Sequence, residues 1–204
     1  MADQTKKPDL WTPRSVDDTQ KIYADWADTY EADVGALNYA TPDRIANALV
    51  SVGADTAMPV LDFGCGTGLG GLALSKAGFG TIDGTDISKD MLAHAQGKNV
   101  YRSLTIGTPG ILDVDPGSYP IIVAIGVVSL GAAPPDMLPA LVDILPKDGL
   151  LAFSYNDPTL ADPDYVAALD QIVSDGVAQV QFREHGPHLS AQVTGSDVIV
   201  LQRQ

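Results

Sequence analysis

A chain of 204 residues, 45% hydrophobic and 19% charged, is long enough for one α/β domain and short for two. Its 26 acidic and 12 basic side chains leave a formal net charge of −14, a field that repels phosphate backbones and anionic membranes, so no nucleic acid and no membrane is an expected partner. Cys65 is the single cysteine and the three histidines are scattered, which rules out an intrachain disulfide and leaves no metal-ligand spacing; with no run near the roughly 20 apolar residues of a membrane span and with a polar start, a cytoplasmic protein is expected.

Residues 1–14 hold two prolines and no periodicity and read as a loose arm. From Val16 the pattern turns helical, with Tyr23, Trp26 and Tyr30 recurring at three- and four-residue intervals on one stripe. A second helix is predicted from Pro42 to Val52, with Thr41 as N-cap and Pro42 at the first helical position. Strands and helices then alternate, the pattern of βαβ units and a parallel sheet. The predicted strands are Pro59–Phe63, Thr81–Thr85, Ser103–Ile106, Ile121–Ile125 and Leu150–Ser154. Between and after them, helices are predicted at Leu69–Ala77, Lys89–Gln96 capped by Ser88, Pro135–Leu145, and Pro163–Asp175 capped by Asp162. Val177–Glu184 and Asp197–Arg203 favour strands and suggest an antiparallel hairpin at the sheet edge. The expected class is α/β, a mostly parallel seven-stranded sheet with helices on both faces, a C-terminal hairpin and an N-terminal helical cap.

The most informative stretch is Val60-Leu-Asp-Phe-Gly-Cys-Gly-Thr-Gly-Leu-Gly70, a buried strand that ends in a carboxylate and then a glycine-rich turn. Glycines there let the backbone bend sharply and a ligand lie against its amides, and the helix from Leu69 turns its N-terminal amides to the same place. Two ligands use such a turn, a dinucleotide and S-adenosylmethionine. The dinucleotide pattern G-x-G-x-x-G fails from Gly64, because position 69 is leucine, and fits from Gly66 only with glycines two residues too late after the strand. Asp62 separates the two ligands: it would repel a pyrophosphate, whereas S-adenosylmethionine carries an ammonium and a sulfonium that a carboxylate attracts. Asp86, just past the second predicted strand, can accept both ribose hydroxyls of either ligand.

Three segments resemble, in order, the motifs of class I S-adenosylmethionine-dependent methyltransferases: Val60-Leu-Asp-Phe-Gly-Cys-Gly-Thr-Gly68, Gly84-Thr-Asp-Ile-Ser88 with Met91-Leu92, and Leu145-Pro-Lys-Asp-Gly-Leu-Leu-Ala-Phe153. The likeness covers about Tyr23 to Asn156, and Tyr23-Ala-Asp-Trp-Ala-Asp-Thr-Tyr-Glu-Ala-Asp33 is further similar to the methyltransferase-like group named for the Williams-Beuren region. The resemblance implies a Rossmann-like doubly wound fold with S-adenosyl-L-methionine as cofactor. A single domain over 1–204 would comprise an arm and helices (1–52) covering the cofactor site and a Rossmann-like core (53–204). Asp62, Gly64, Cys65, Gly66 and Gly68 would then hold the methionyl part, Asp86 the ribose, and the segment after the third strand the adenine. That segment, Ile106-Gly-Thr-Pro-Gly-Ile111, lacks the acid the family often has there. Thr108 or a nearby backbone carbonyl is the candidate instead, with Ile87 and Met91 on the ring faces. Tyr23, Trp26 and Tyr30 are candidates for an aromatic lid beside the sulfonium.

After the fourth predicted strand, Ala124-Ile-Gly-Val-Val-Ser-Leu-Gly131 lacks the Asn/Asp-Pro-Pro-Tyr/Phe tetrapeptide that some relatives use on amino groups of nucleobases or glutamine. It is small and apolar, with Ser129 its one side-chain donor. Ser129 and Asn156, the latter at the carboxyl edge where open α/β sheets bind ligands, are the substrate-side candidates. His185 and His188 flank Gly186-Pro187 and read as residues of an exposed turn rather than as bases; no catalytic residue stands out, and Cys65 is expected to pack rather than react. The expected activity is methyl transfer to a small-molecule acceptor. The alternatives are a cofactor-binding protein without catalysis and an NAD-dependent oxidoreductase, the latter without a Tyr-x-x-x-Lys signature in the chain.

Overall fold

The computed structural model describes the backbone of residues 16–204; within the first helix, the side chains of 16–17, 19–20 and 23–28 lie outside the described residues. Helices α1 (Val16–Ala36) and α2 (Thr41–Ser51) lead into β1 (Val60–Phe63), α3 (Leu69–Lys76), β2 (Ile82–Asp86), α4 (Lys89–Gln96), β3 (Ser103–Ile106) and β4 (Ile121–Ala124). Then come α5 (Met137–Asp143), β5 (Leu150–Asn156), α6 (Asp157–Leu160), α7 (Pro163–Ser174), β6 (Ala178–Pro187) and β7 (Gly195–Arg203). One seven-stranded sheet runs in the order β3-β2-β1-β4-β5-β7-β6. The first five strands pair in parallel, and β7 lies antiparallel between β5 and β6. This is the Rossmann-like, doubly wound class with its C-terminal hairpin.

Val60, Leu61, Ile121 to Ala124 and Leu151 to Phe153 are buried, the unbroken apolar runs of a parallel sheet covered on both faces. Leu138, Leu141 and Val142 of α5 and Leu169 and Ile172 of α7 pack with Phe153 and Tyr155 on one face. Ile45 and Leu49 of α2 and Leu74 of α3 pack with Val60, Ile82 and Val123 on the other. Each large side chain so buried contributes about 1.5–3 kcal/mol. Because α3, following β1, covers one face and α5, following β4, the other, a crevice opens at the carboxyl ends of β1 and β4, where such sheets bind ligands.

Local signals hold where nothing distant competes with them. Ser88 accepts from the Met91 amide to cap α4, and Asp162 accepts from the Asp164 amide to cap α7. Thr41 differs from its predicted role. Helix α2 starts at Thr41 itself with Ala40 as N-cap, because the Thr41 hydroxyl is spent on His188 Nδ1 at 2.7 Å and Ser196 Oγ at 3.2 Å. Helix α5 starts two residues later than predicted, which keeps Pro139 in the first turn, where its missing N–H costs no intrahelical bond.

The C-terminal histidines also differ from expectation, since β6 runs on to Pro187. His185 is a strand residue paired with Asp197 of β7, its Nδ1 2.9 Å from Asp197 Oδ1. His188 is buried, edge-on to Tyr39. Burial pushes the His188 imidazole down to about 4 from its ordinary 6.5. The unfolded chain therefore takes up a proton near pH 6.5 that the folded chain resists, and stability is lost as pH falls from about 6.5 towards 4. His188→Gln, neutral throughout, is expected to escape this loss, on the order of 2 kcal/mol at pH 5. Its melting temperature should fall less than that of the unaltered chain between pH 7 and 5, and equal falls would contradict the assignment.

Candidate functional site

Past Phe63 the chain turns through Gly64, Gly66 and Gly68 with φ of 69°, 54° and 92°, values that side chains disfavour. A Cβ on Gly64 would lie 2.4 Å from Val127 Cγ2, whereas one on Gly66 would meet nothing within 4 Å. The turn is thus braced on one side and open at Gly66. Asp86, closing β2, accepts from the amides of Gly66 and Ser88, each at 2.8 Å. One carboxylate oxygen serves each amide, and each retains a second lone pair for a ligand. Burial pushes the Asp86 carboxyl above the ordinary range, and the amides of Ser88, Gly66 and Ile87 pull against that rise.

Asp62, two residues before Gly64, is 1% exposed. Its Oδ2 accepts from the Tyr101 hydroxyl at 2.7 Å. Burial raises its carboxyl to about 6, with repulsion from Asp86 adding to the rise while the Tyr101 hydroxyl and the Gly71 amide oppose it. The two carboxylates stand at the ends of neighbouring parallel strands, Asp62 paired with Gly84 and Asp86 with Ile106. They form an electronegative site with a preference for a cation.

A cavity of about 640 Å³ opens over this edge, and a smaller one of about 50 Å³ adjoins it, the two sharing Tyr30, Gly64, Gly66 and Ile125. Asp86, Ile87, Met91 and Thr108 line the larger cavity, and Asp62, Cys65 and Thr67 the smaller. Gly68 lines neither and begins α3. Cys65 is buried, and burial raises its thiol, as does the charge of Asp62 and Asp86, so it stays protonated. The Tyr23 and Trp26 side chains lie outside the described residues.

Ser129 and Asn156, the expected substrate-side residues, do not line either cavity. Ser129 Oγ donates to the Gly126 carbonyl at 3.2 Å. Asn156 is the last residue of a β5 two residues longer than predicted, and its Oδ1 accepts from the Thr159 amide and hydroxyl at 3.1 and 2.8 Å, capping α6. Other residues take the wall that the prediction left empty: Asp113 and Asp115 beyond β3, and Asp136 and Met137 at the start of α5. The two loop acids follow Ile111, the last residue of the segment expected to face the adenine. Tyr39, in the smaller cavity, and Tyr101 carried no local signal, Tyr101 being 39 residues from the carboxylate it holds.

The fold, the glycine turn and the two strand-end carboxylates resemble those of class I S-adenosylmethionine-dependent methyltransferases. Residues 61–151 match the family model described as a methyltransferase domain. The chain is 33% identical over 124 residues to methyltransferase-like protein 27 of Homo sapiens, an alignment that takes in 59% of this chain and 51% of that one, so the chain spans about half the length of this curated relative. Among solved structures, magnesium protoporphyrin IX methyltransferase from Synechocystis PCC 6803 with bound S-adenosylhomocysteine superposes with a TM-score of 0.68 at 19% identity, covering 91% of this chain and 100% of that one. A putative methyltransferase of Haloferax volcanii in complex with the Trm112 activator gives 0.69 at 16% identity, covering 89% and 97%. That magnesium protoporphyrin IX methyltransferase is also solved with bound S-adenosylmethionine.

The residues present fit that cofactor. Thr67 Oγ1 is buried without a hydrogen-bond partner and Thr67 lines the small cavity with Asp62, a pairing that calls for a polar, cationic occupant. Among the described residues, no lysine, arginine or histidine lines either cavity. A pyrophosphate would find a buried carboxylate in place of a positive partner.

Proposed function

We propose that the chain transfers a methyl group from S-adenosylmethionine to a neutral or cationic small molecule held in the outer part of the larger cavity. The single observation behind this reading is the wall of that cavity, in which Asp113, Asp115 and Asp136 stand among apolar side chains and, among the described residues, no lysine, arginine or histidine takes part. Such a wall suits a modest apolar body bearing an amine and repels an RNA backbone. The structural neighbour named for magnesium protoporphyrin IX, a small-molecule acceptor, supports the same direction.

When bound, the cofactor supplies an electrophilic methyl carbon on a sulfonium. The chain's own part is to hold and align. Asp62 and Thr67 take the amino-acid end, Asp86 the ribose hydroxyls, and Thr108, Ile87 and Met91 the adenine. Tyr30, with the helices of residues 16–52, covers the site and keeps water away from the reacting atoms. Alignment for in-line attack provides most of the rate. An amine that is partly neutral near physiological pH needs no strong base, and a carboxylate such as Asp136 can take the proton released afterwards.

Incubation of the chain and cell extract with methyl-labelled cofactor, followed by separation of metabolites, RNA and protein, is expected to leave the label among the metabolites. Label in RNA or protein would contradict the small-molecule acceptor. Cofactor binding without label in any fraction would favour a binding protein without catalysis.

A further inference from the structure

Three glycines on two elements make room for one ring. A Cβ on Gly71 would lie 2.3 Å from Cζ of Tyr101, one on Gly68 3.1 Å from its Cε2, and one on Gly84 3.0 Å from its Cε1. Gly68 and Gly71 belong to the start of α3 and Gly84 to β2. Glycine inside a helix costs about 1 kcal/mol relative to alanine, so Gly71 is a cost the fold accepts to admit the phenol. This accounts for the extra glycine that made Gly66-Thr-Gly-Leu-Gly-Gly71 imitate a dinucleotide pattern.

The position of the Tyr101 hydroxyl also dictates where its proton goes. The Gly71 amide donates to the hydroxyl oxygen at 3.1 Å, and the hydroxyl sits 2.7 Å from Asp62 Oδ2. With its oxygen already accepting from one side, its proton is donated to the carboxylate. The Asp62 carboxylate also lies against Gly70, where a Cβ would come within 2.9 Å of Oδ2 and 3.2 Å of Oδ1. The acid is thereby pinned between α3 and the ring, in the wall of the small cavity.

We propose that Tyr101 is a positioning residue that orients Asp62 towards the amino-acid end of the cofactor and has no part in holding its adenosine end. This rests on the methyl-donor reading above. Asp86, at the other end, is bound to Gly66 and Ser88 and does not depend on the ring.

The two ends can be separated with ligands. S-adenosylhomocysteine has both, whereas 5′-methylthioadenosine keeps the adenosine and lacks the amino acid. In calorimetric titrations, Tyr101→Phe is expected to weaken S-adenosylhomocysteine about tenfold and to leave 5′-methylthioadenosine within about twofold. In an Asp62→Asn background, the same change is expected to cost less than about twofold for either ligand. Parallel loss of both ligands, loss of neither, or additive loss in the double variant would overturn the proposal. An unaltered chain that binds neither ligand would overturn the methyl-donor reading beneath it. Should Tyr101→Phe fail to fold, the Tyr101 hydroxyl proton is followed by NMR in the unaltered chain. S-adenosylhomocysteine must shift that resonance and 5′-methylthioadenosine must not; a shift with both or with neither would overturn the proposal.

Discussion

Replacing Asp62 with asparagine is expected to weaken S-adenosylhomocysteine by well over tenfold and, at the same time, to raise the melting temperature of the ligand-free chain. The two effects share one cause. Burial lifts the Asp62 carboxyl to about 6 from an ordinary 3.8, so between those values the folded chain keeps a proton that the unfolded chain has released. Stability therefore falls as pH rises from about 4 through 6, and at pH 7 the ionised acid costs on the order of 2–3 kcal/mol. Asparagine is neutral, has nearly the same shape, and can still accept from the Tyr101 hydroxyl. Recovery of that energy would raise the melting temperature by several degrees, on the order of 5 °C for a chain of this size. The ammonium of the ligand loses a charge-assisted partner, hence the fall in affinity. For the unaltered chain, affinity should decline as pH drops below about 6 and Asp62 takes up its proton. Asp86 and Cys65 also face this carboxyl through its electrostatics, but the thiol stays neutral across the window. A variant that melts lower at pH 7, or binds as tightly as before, would contradict this account of Asp62.

Asp86→Ala is expected to be more severe and to spare no ligand. Its carboxylate holds the amides of Gly66 and Ser88, so alanine removes the ribose acceptor and frees both the glycine turn and the start of α4. Two charged hydrogen bonds lost to a ligand amount to about 3 kcal/mol, or roughly a hundredfold. The loss should be alike for S-adenosylhomocysteine and 5′-methylthioadenosine, because both carry the ribose. Calorimetry distinguishes the two carboxylates by this pattern, with Asp62 acting on one ligand and Asp86 on both. Unchanged binding of 5′-methylthioadenosine to Asp86→Ala would remove Asp86 from the ribose.

Much of the cofactor edge was legible because its chemistry is local. A strand, a carboxylate and positive-φ glycines follow one another within a few residues, and the Ser88 cap and Asp86 need only the end of one strand. Residues whose partners are distant were misread or missed. Thr41 looked like an N-cap, yet its hydroxyl serves His188, 147 residues away. Strand β5 runs two paired residues past its predicted end at Ser154, and Asn156 there caps α6. Tyr101 follows Val100 with no periodicity to mark it, and its value appears only once Gly68, Gly71 and Gly84 surround it. Asp113 and Asp115 of the cavity wall lie in the connection of residues 107–120 between β3 and β4, where no repeat pattern predicts which side chains turn inward.

The helices ahead of the sheet were legible in outline. Tyr30 reaches both cavities, and α1 is tied to the residue after Gly97 by an ion pair between Glu31 and Lys98 at 2.6 Å.

The most direct measurement is a crystal structure of the chain with S-adenosylhomocysteine bound. The account predicts the amino group in the small cavity against Asp62, with the Tyr101 hydroxyl still on Asp62 Oδ2, and both ribose hydroxyls on Asp86. A ligand whose amino-acid end points instead towards Asp113, Asp115 and Asp136, with Asp62 left to Tyr101 alone, would contradict it.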